Sequence, residues 1–304
     1  MKISLQTLNH RFSQMRLVPA AALAVCLGMC MSAQANSPAE KMLEMDRPLV
    51  IAHRGYPTVA PENTIVGFRL ANLAGADLVE LDYHVDRDGE AIVIHDKTLD
   101  RTTNVTAAWG DTEVKVVEKS RAAMQTLDAG TWRDPMFAGV RLPTLEEAID
   151  AIQEGGMTLI ERKGGSPEHI VALLKEKDLV NEVIVQSFDW EYVAAVHEML
   201  PEQVLGAIGP SRVWNGKRLS DEERELSREW IDEAAKTGAR VLVWNAQITP
   251  ETISYAHDKG FKLFIYTISE LEPAMRVLEA GVDGVITNNT AILWKAMALV
   301  HGAD

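Results

Sequence analysis

Cysteine is nearly absent from this sequence. Two occur among 304 residues, Cys26 and Cys30, and both lie within the first 35 residues. The absence of cysteine from residues 36–304 therefore excludes a disulfide framework, a cysteine-based zinc site and a thiol nucleophile in that part of the chain. Any ligand or catalytic group in that part of the chain has to be an oxygen or nitrogen side chain.

Long hydrophobic runs are also scarce, and the one near the start of the chain is short. Three basic residues precede an uncharged apolar run at 17–31, and Ala-Gln-Ala at 33–35 has the small-x-small pattern of a cleavage site. A membrane-spanning helix needs roughly 20 apolar residues, so an uncleaved anchor is the alternative interpretation. We expect a secretory signal peptide over residues 1–35, export to the periplasm or the extracellular space, and no stable membrane insertion after cleavage.

Basic residues are few compared with acidic ones. Residues 1–35 contain three of the 30 Lys and Arg and none of the 44 Asp and Glu, so residues 36–304 carry 27 basic and 44 acidic side chains, a formal charge of −17. Nucleic acids and anionic membranes are bound by basic patches, and this balance argues against both as partners. A small anionic substrate stays possible, because salt screens bulk charge over about 8 Å.

The remaining chain alternates strand-like and helix-like segments. Short apolar runs with strand composition lie at 48–53, 77–83, 157–161, 182–186, 203–208, 240–244, 262–267 and 283–287. Nearly continuous apolar strands separated by helices indicate a parallel sheet that is covered on both faces. Eight such units in about 260 residues predict a single α/β domain over 36–304, a (β/α)8 TIM barrel. A doubly wound open sheet is the alternative, but the sequence has no G-x-G-x-x-G motif to support it.

Two local patterns refine this prediction. Ser or Thr followed three residues later by Glu is the capping-box pattern of a helix start, and it occurs at Thr144, Ser220 and Ser269. Residues 96–143, between the second strand and its helix, far exceed the usual 2–6-residue connection. We expect this long insertion to lie above the C-terminal face of the barrel, where it could cap a site.

Acidic residues end two neighbouring strands. Side chains alternate along a strand, so Glu80 and Asp82 share one face, and Glu161 and Lys163 share a face of the next strand. Three carboxylates without cysteine describe a site for a hard divalent cation, Ca²⁺ or Mg²⁺. The alternative is that the strand ends fray and the carboxylates reach water. Lys163 would either neutralise a carboxylate or hold a phosphate oxygen.

Two histidines belong to the same rim. His53 and Arg54 follow the first strand, and after the second strand the chain turns at Asp88-Gly89 and returns to His95. A lone histidine or arginine at a strand end is usually structural. Two imidazoles beside a cation site, however, could accept and donate a proton, each worth about 10²–10⁴ in rate. Phosphodiesters react slowly unaided and are hydrolysed with such a pair and a metal ion.

Several motifs together resemble the glycerophosphodiester phosphodiesterase family. They are, in order, HRG, APENT, ELD, IHD, LDRTT, LDAGTW, LPTLEEAI, ERK, QSFD and GVDGVITN, and they run from about residue 48 to 289. The resemblance implies a barrel and the divalent-cation-dependent hydrolysis of a small-molecule glycerophosphodiester to glycerol 3-phosphate and an alcohol.

The resemblance also implies roles for individual residues. It implies His53 and His95 as the catalytic acid/base pair, Glu80, Asp82 and Glu161 as metal ligands, and Arg54, Lys163 and Tyr266 as substrate-binding residues. Tyr266 stands where the family commonly has Trp, in the wall around the glycerol or the leaving group. Asn288 replaces the more usual Asp of the last motif, so it could orient a neighbour without carrying charge. His84 is expected at the rim of the site.

Two other functions remain as alternatives. The same site with a wider apolar pocket would hydrolyse lysophospholipids by a lysophospholipase D-type reaction. A catalytically silent barrel would bind phosphodiesters without hydrolysing them. The presence of both histidines and of all three acidic residues argues against the silent barrel.

Overall fold

Eight parallel strands close into a barrel in the computed structural model, which describes residues 36–302. The strands of the described chain are β1 (Leu49–Ala52), β2 (Leu78–Val85), β3 (Ala91–Val93), β4 (Met157–Arg162), β5 (Val183–Ser187), β6 (Leu205–Ile208), β7 (Val213–Trp214), β8 (Lys217–Arg218), β9 (Val241–Trp244), β10 (Lys262–Ile265) and β11 (Gly284–Thr287). The barrel order is β1-β2-β4-β5-β6-β9-β10-β11, and β11 pairs with β1 to close the sheet. The predicted TIM barrel is confirmed, and the open doubly wound sheet is wrong.

The helices of the described chain are α1 (Pro38–Leu43), α2 (Ile65–Leu73), α3 (Val105–Trp109), α4 (Arg121–Met124), α5 (Leu145–Gln153), α6 (Pro167–Glu176), α7 (Trp190–Met199), α8 (Arg228–Ala235), α9 (Pro250–Asp258), α10 (Leu271–Glu279) and α11 (Thr290–His301). They cover the outside of this barrel, with the exceptions of α1 at its N-terminal end and of α3 and α4 in the insertion. Apolar side chains from both faces of the strands are buried, those of one face against the helices and those of the other inside the barrel. This double burial is why the strands are continuous apolar runs and lack a polar alternation.

The N-terminal end of the barrel is covered by α1. Ala39 and Leu43 of this helix pack among inward-facing residues at the starts of the strands, such as Leu49 and Leu78. The amide of Ala39 also donates to the carbonyl oxygen of Asn181, at 3.0 Å. The barrel interior is thus a packed core at one end, and the C-terminal end is left for a site.

The capping predictions have different outcomes. Thr144 and Glu147 form the expected reciprocal capping box at the start of α5. Ser220 makes the same pair of hydrogen bonds with Glu223, but only a short 3-10 turn follows. Ser269 does not cap α10, because its hydroxyl accepts from the backbone N–H of Asn288 instead. The helix begins after Glu270, which makes no side-chain capping bond.

The long insertion between β2 and its helix α5 is confirmed. After β3, which pairs antiparallel with β2, it contains α3, α4 and two 3-10 turns. It has an apolar cluster of its own, which includes Leu99, Val105 and Met124. Arg133 of the insertion donates to the carbonyl oxygen of Thr58 at 2.6 Å, so the insertion contacts the loop that follows β1.

The predicted signal peptide, residues 1–35, lies outside the described residues. Within residues 36–302, every helix is too short or too polar to cross a bilayer. The expected export stays a prediction.

Candidate active site

Three buried carboxylates meet at the C-terminal end of the barrel. Asp82 of β2 is the register partner of Glu161 on β4, and Glu80 lies two residues earlier on the same face of β2. One oxygen from each of the three lies within 4.8 Å of the others, and their side chains are 0–9% exposed. The alternative of frayed strand ends that reach water is therefore wrong.

The pKa values of these carboxyls differ because their neighbours differ. Burial, with Asp82 and Glu161 adding repulsion, raises the pKa of Glu80 well above its usual value. Burial and Asp82 raise the pKa of Glu161 to about 7, against the opposing effect of Lys163. Burial acts in the same direction on Asp82, but Lys163 and Arg54 outweigh it and lower the pKa of Asp82. Burial therefore disfavours the fully ionised cluster unless a cation or a proton offsets its charge.

Two basic side chains offset part of this charge. Lys163 Nζ donates to Glu161 Oε1 and lies 3.3 Å from Asp82 Oδ1, and Arg54 Nε lies 3.3 Å from Asp82 Oδ2. The Arg54 amide donates to Glu80 Oε2 at 2.9 Å, with its backbone in the left-handed region at φ 56°. A non-glycine residue in that region is held there by its surroundings, here by the carboxylate of Glu80.

Gly55 explains why the HRG motif ends in glycine. Its φ is +87°, and a Cβ at this position would lie 2.8 Å from the carbonyl carbon of Gly67. The loop after β1 therefore packs directly on the backbone of α2, and this contact aims His53 and Arg54 across the mouth of the barrel.

The donor atoms fit a hard divalent cation. Glu80 Oε1 is buried without a hydrogen-bond partner, and Asp82 Oδ1 has only the ion-pair contact with Lys163 at 3.3 Å, whereas buried acceptors are rarely left without a hydrogen bond. All three predicted ligands offer oxygen, which Mg²⁺ and Ca²⁺ prefer. The acidic triad is thus suited to such an ion, and its role as the ligand set stays a prediction.

His53 is held by an amide. Its Nδ1 lies 2.7 Å from Asn288 Oδ1, and because an amide oxygen only accepts, Nδ1 carries the proton and Nε2 is left with a lone pair when the ring is neutral. That Nε2 lies 4.0 Å from Glu80 Oε2. Burial, together with Arg54, lowers the pKa of His53 to about 4.

His95 is held by a carboxylate. Its Nδ1 lies 2.7 Å from Asp96 Oδ1, which again places the proton on Nδ1 and leaves Nε2 free. Burial lowers the pKa of His95, whereas the carboxylates of Asp82 and Asp96 act in the opposite direction. In both predicted catalytic histidines, Nδ1 is therefore held by a hydrogen bond and Nε2 is available for proton transfer.

A cavity of about 230 Å³ joins these groups. Its polar wall contains His53, Arg54, Glu80, His95, Glu161, Lys163 and Gln186, and its apolar wall contains Phe188, Ile208, Val243, Tyr266 and Ile286. Phe188 and Tyr266 meet edge to face, with ring centroids 6.1 Å apart. All predicted site residues except Asp82 line this cavity directly, and Asp82 is fully buried within the acidic triad.

Three other polar or aromatic strand-end residues have structural positions. His84 Nε2 donates to the backbone carbonyl of His95 at 3.1 Å, which places His84 at the rim. Arg162 points outward over the ring of Tyr192. Trp244 is fully buried outside the cavity, and its indole N–H donates to the carbonyl oxygen of Arg224.

Sequence reasoning missed several residues that hold the site together. Asn63 donates to Asp82 Oδ2 at 2.9 Å and accepts from the amide of Asp82 at 3.2 Å. Glu62 accepts from Arg54 at 3.0 Å, and Asp96 pairs with His95. These residues stand inside the APENT and IHD motifs, so their position in the motifs was the available signal.

The fold and the site are those of a phosphodiester hydrolase. The model of the Glycerophosphoryl diester phosphodiesterase family matches residues 53–292. A glycerophosphodiester phosphodiesterase of Caldanaerobacter subterraneus subsp. tengcongensis is 32% identical over 254 residues, 81% of this chain and 96% of the relative. A glycerophosphodiester phosphodiesterase of Bacillus subtilis is 30% identical, and the match covers 84% of this chain and 88% of the relative. The chain belongs to the glycerophosphoryl diester phosphodiesterase family, as the motifs predicted.

Solved structures agree with this assignment. The structure of an Oleispira antarctica phosphodiesterase in complex with the product sn-glycerol-3-phosphate has a TM-score of 0.70 at 25% identity and covers 83% of this chain and 97% of that one. A Silicibacter pomeroyi structure has a TM-score of 0.73 at 23% identity and covers 86% of this chain and 97% of that one, a likeness of fold alone. The predicted fold and enzyme class are confirmed.

Proposed function

We propose that this protein hydrolyses glycerophosphodiesters to sn-glycerol 3-phosphate and an alcohol with the help of a divalent cation. The observation that carries the proposal is a cavity lined by Glu80, Glu161 and both imidazoles, with Asp82 buried beside the two glutamates in the acidic triad. Family membership supports the same reaction, as does the product found in the Oleispira antarctica relative.

Glu80, Asp82 and Glu161 would hold the cation, Ca²⁺ or Mg²⁺, through their clustered oxygens. When bound, it would supply Lewis-acid polarisation of a phosphoryl oxygen. Arg54 and Lys163 lie against the same carboxylates, so their N–H groups stand where a phosphate of the substrate would meet them. Arginine and lysine form strong charge-assisted hydrogen bonds to phosphate.

The two imidazoles are suited to different proton transfers. A carboxylate partner stabilises an imidazolium by its charge as well as by its hydrogen bond, whereas a neutral amide does so by the hydrogen bond alone. His95, bonded to Asp96, therefore acts as the general acid and protonates the leaving alcohol at Nε2. His53, bonded to Asn288, acts as the general base and takes the proton of the attacking oxygen nucleophile at Nε2. The bond from phosphorus to the alcohol breaks, and net addition of one water gives glycerol 3-phosphate and the alcohol.

The size of the cavity favours a small diester over a lysophospholipid. At about 230 Å³ it is below the usual 300–1,000 Å³ of drug-sized ligand sites, so an acyl chain would have to extend outside it. Phe188 and Tyr266 form an apolar wall for the glycerol carbons or the leaving group. We expect faster turnover of glycerophosphocholine than of lysophosphatidylcholine at equal concentration, and the reverse order would favour the lysophospholipase D-type reaction.

A substrate panel assayed with and without divalent metal tests the proposal. Purified protein should release glycerol 3-phosphate from glycerophosphocholine, lose activity in a chelator and regain it with Mg²⁺ or Ca²⁺. Absence of turnover across the panel, with undiminished diester binding by a His53→Ala, His95→Ala variant, would instead indicate a silent barrel.

The proposal extends to the cellular location. Residues 1–35 have the charge and apolar pattern of a signal peptide, and α1 begins at Pro38, directly after the expected cleavage site. N-terminal sequencing of the exported protein should begin at Asn36. A full-length chain retained in the membrane fraction would support the uncleaved anchor.

A further inference from the structure

Arg101 joins two acidic residues that belong to different loops of the site. Its Nε and Nη2 donate to the two carboxylate oxygens of Asp96, at 2.7 and 3.0 Å. Its Nη1 and Nη2 donate to the two carboxylate oxygens of Glu62, both at 2.8 Å. One guanidinium thus makes two bidentate pairs, the geometry that gives arginine its directional strength.

Each of these acidic residues in turn holds a group that lines the cavity. Asp96 Oδ1 accepts from His95 Nδ1 at 2.7 Å, and Glu62 Oε1 accepts from Arg54 Nη1 at 3.0 Å. Hydrogen bonds therefore run without a gap from the imidazole of His95, through Arg101, to the guanidinium of Arg54. Arg101 itself does not line the cavity.

The backbone around Arg101 is fixed by the core of the insertion. Leu99 is fully buried in the apolar cluster of the insertion, and Thr102 and Thr103 are also buried. Thr103 Oγ1 donates to the Leu99 carbonyl oxygen at 2.6 Å, which closes the turn around Arg101. The insertion thus presents the arginine from a rigid segment.

We propose that Arg101 is a positioning residue for the reaction, and that the insertion serves the site by supplying it. This inference rests on the proposed function. Arg101 fixes Asp96 in the orientation that keeps the proton on His95 Nδ1, and it fixes Glu62 in the orientation that aims Arg54 at the phosphate. A lysine cannot replace it, because a single ammonium does not make two bidentate pairs.

Arg101→Ala and Arg101→Lys test the proposal, with Arg87→Ala as the matched control. Arg87 is an exposed arginine of the β2–β3 turn that pairs with the exposed Asp88. Loss of a residue that orients a catalytic group typically costs 10–100-fold, so we expect kcat for glycerophosphocholine to fall roughly 10–100-fold in both Arg101 variants. The control should keep the kcat of the parent. Arg101→Lys preserves the charge and carries the test alone if the alanine variant does not fold.

Chemical rescue separates positioning from general stability. Guanidinium chloride at tens of millimolar, compared with equal sodium chloride, should restore part of the kcat of Arg101→Ala, because the free ion can bind between Asp96 and Glu62. The double variant Arg101→Ala, Asp96→Asn should not be rescued, since one side of the bridge has gone. An Arg101→Ala enzyme with the kcat of the parent overturns the proposal, as does a loss that guanidinium restores equally in the double variant.

A second measurement does not depend on turnover. The ring N–H proton of His95 should give a downfield nuclear magnetic resonance signal in the parent, assigned by its loss in His95→Gln. We expect the signal to move upfield or broaden in Arg101→Ala and to stay in place in Arg87→Ala. A parent without turnover contradicts the proposed function, whereas an unchanged signal in Arg101→Ala contradicts the role of Arg101.

Discussion

The two imidazoles of the site are supported by different chemistry. His53 hydrogen-bonds the neutral amide of Asn288, on the loop after the last strand, at 2.7 Å. His95 hydrogen-bonds the carboxylate of Asp96 at the same distance, and that carboxylate is itself held by Arg101. The same orienting bond is therefore made once by a neutral group and once by a charged network.

This difference matters for proton transfer. The Asp96 carboxylate favours the charged form of His95 by its negative charge, while the neutral amide oxygen of Asn288 supports the charged form of His53 through its hydrogen bond alone. The His53 side chain is also less exposed, at 18% compared with 31% for His95. Burial lowers the pKa of both rings, but only His95 has a carboxylate hydrogen-bonded to its ring that opposes this effect, and this difference favours His95 as the acid of the pair.

The largest expected effect comes from removing one negative charge of the acidic triad. Glu161→Gln replaces a carboxylate of the acidic triad with a neutral amide of similar shape, so the cation should bind far more weakly. Because a Lewis acid supplies several kcal/mol of transition-state stabilisation, we expect activity to fall at least about 10³-fold and metal dependence to disappear. Steady-state assays over a metal titration measure both.

Glu168→Gln, at an exposed carboxylate in the first turn of α6, is the matched control and should behave as the parent. His95→Ala should lose activity but retain the metal affinity of the parent in calorimetry. Loss of cation binding in His95→Ala would contradict the division between ligands and proton-transfer groups.

The next largest effect concerns the charged support of His95. Asp96→Asn keeps the shape of the side chain, but its amide can donate and so allows the wrong ring tautomer. We expect kcat to fall roughly 10–100-fold, as for other groups that orient a catalytic histidine. Asp88→Asn, at an exposed carboxylate in the turn between β2 and β3, is the control. Equal kcat in Asp96→Asn and the parent would show that the charged network does not serve the reaction.

A smaller effect is expected on substrate binding. Lys163→Ala removes an ammonium that lies between Glu161 and Asp82 at the cavity wall. Because a hydrogen bond to a charged group is worth about 1.5 kcal/mol or more, KM should rise about 10-fold or more, with a smaller change in kcat. Lys236→Ala, at an exposed pair with Glu233, is the control. A fall in kcat at constant KM would instead place Lys163 in the chemical step.

The barrel could be predicted because its signals are local. Each strand is an apolar run of a few residues, and the alternation of side chains along β2 and β4 was enough to bring Glu80, Asp82 and Glu161 together. The capping box of α5 depends on residues three apart, and it was predicted for the same reason.

The supporting network could not be predicted from local patterns. Glu62 and Arg101 are 39 residues apart and meet only because the insertion folds over the loop after β1. Ser269 has the local pattern of a helix cap, yet its hydroxyl accepts a hydrogen bond from the backbone N–H of Asn288, 19 residues away. Contacts between loops depend on how the whole barrel closes, and no sequence period reports them.

The smallest and most specific effect comes from making the two imidazoles alike. Asn288→Asp gives His53 a carboxylate partner. Burial and Arg54 hold the pKa of His53 down at about 4, and Asp82, the Asn288 hydrogen bond and Glu62 oppose them only in part. An added negative charge favours imidazolium, so the pKa of His53 should rise.

An imidazole acts as a general base only when it is neutral, and its neutral fraction decreases as the pH falls below its pKa. The acidic limb of the kcat/KM profile of Asn288→Asp should therefore move to higher pH, with activity a few-fold lower in mild acid and little changed in mild alkali. Profiles of the parent and the variant at saturating Mg²⁺ measure the shift, and Asn215→Asp, in the exposed turn between β7 and β8, is the control. If the basic limb moves instead, His53 is the acid and His95 the base, and the assignment drawn from their unequal partners is reversed.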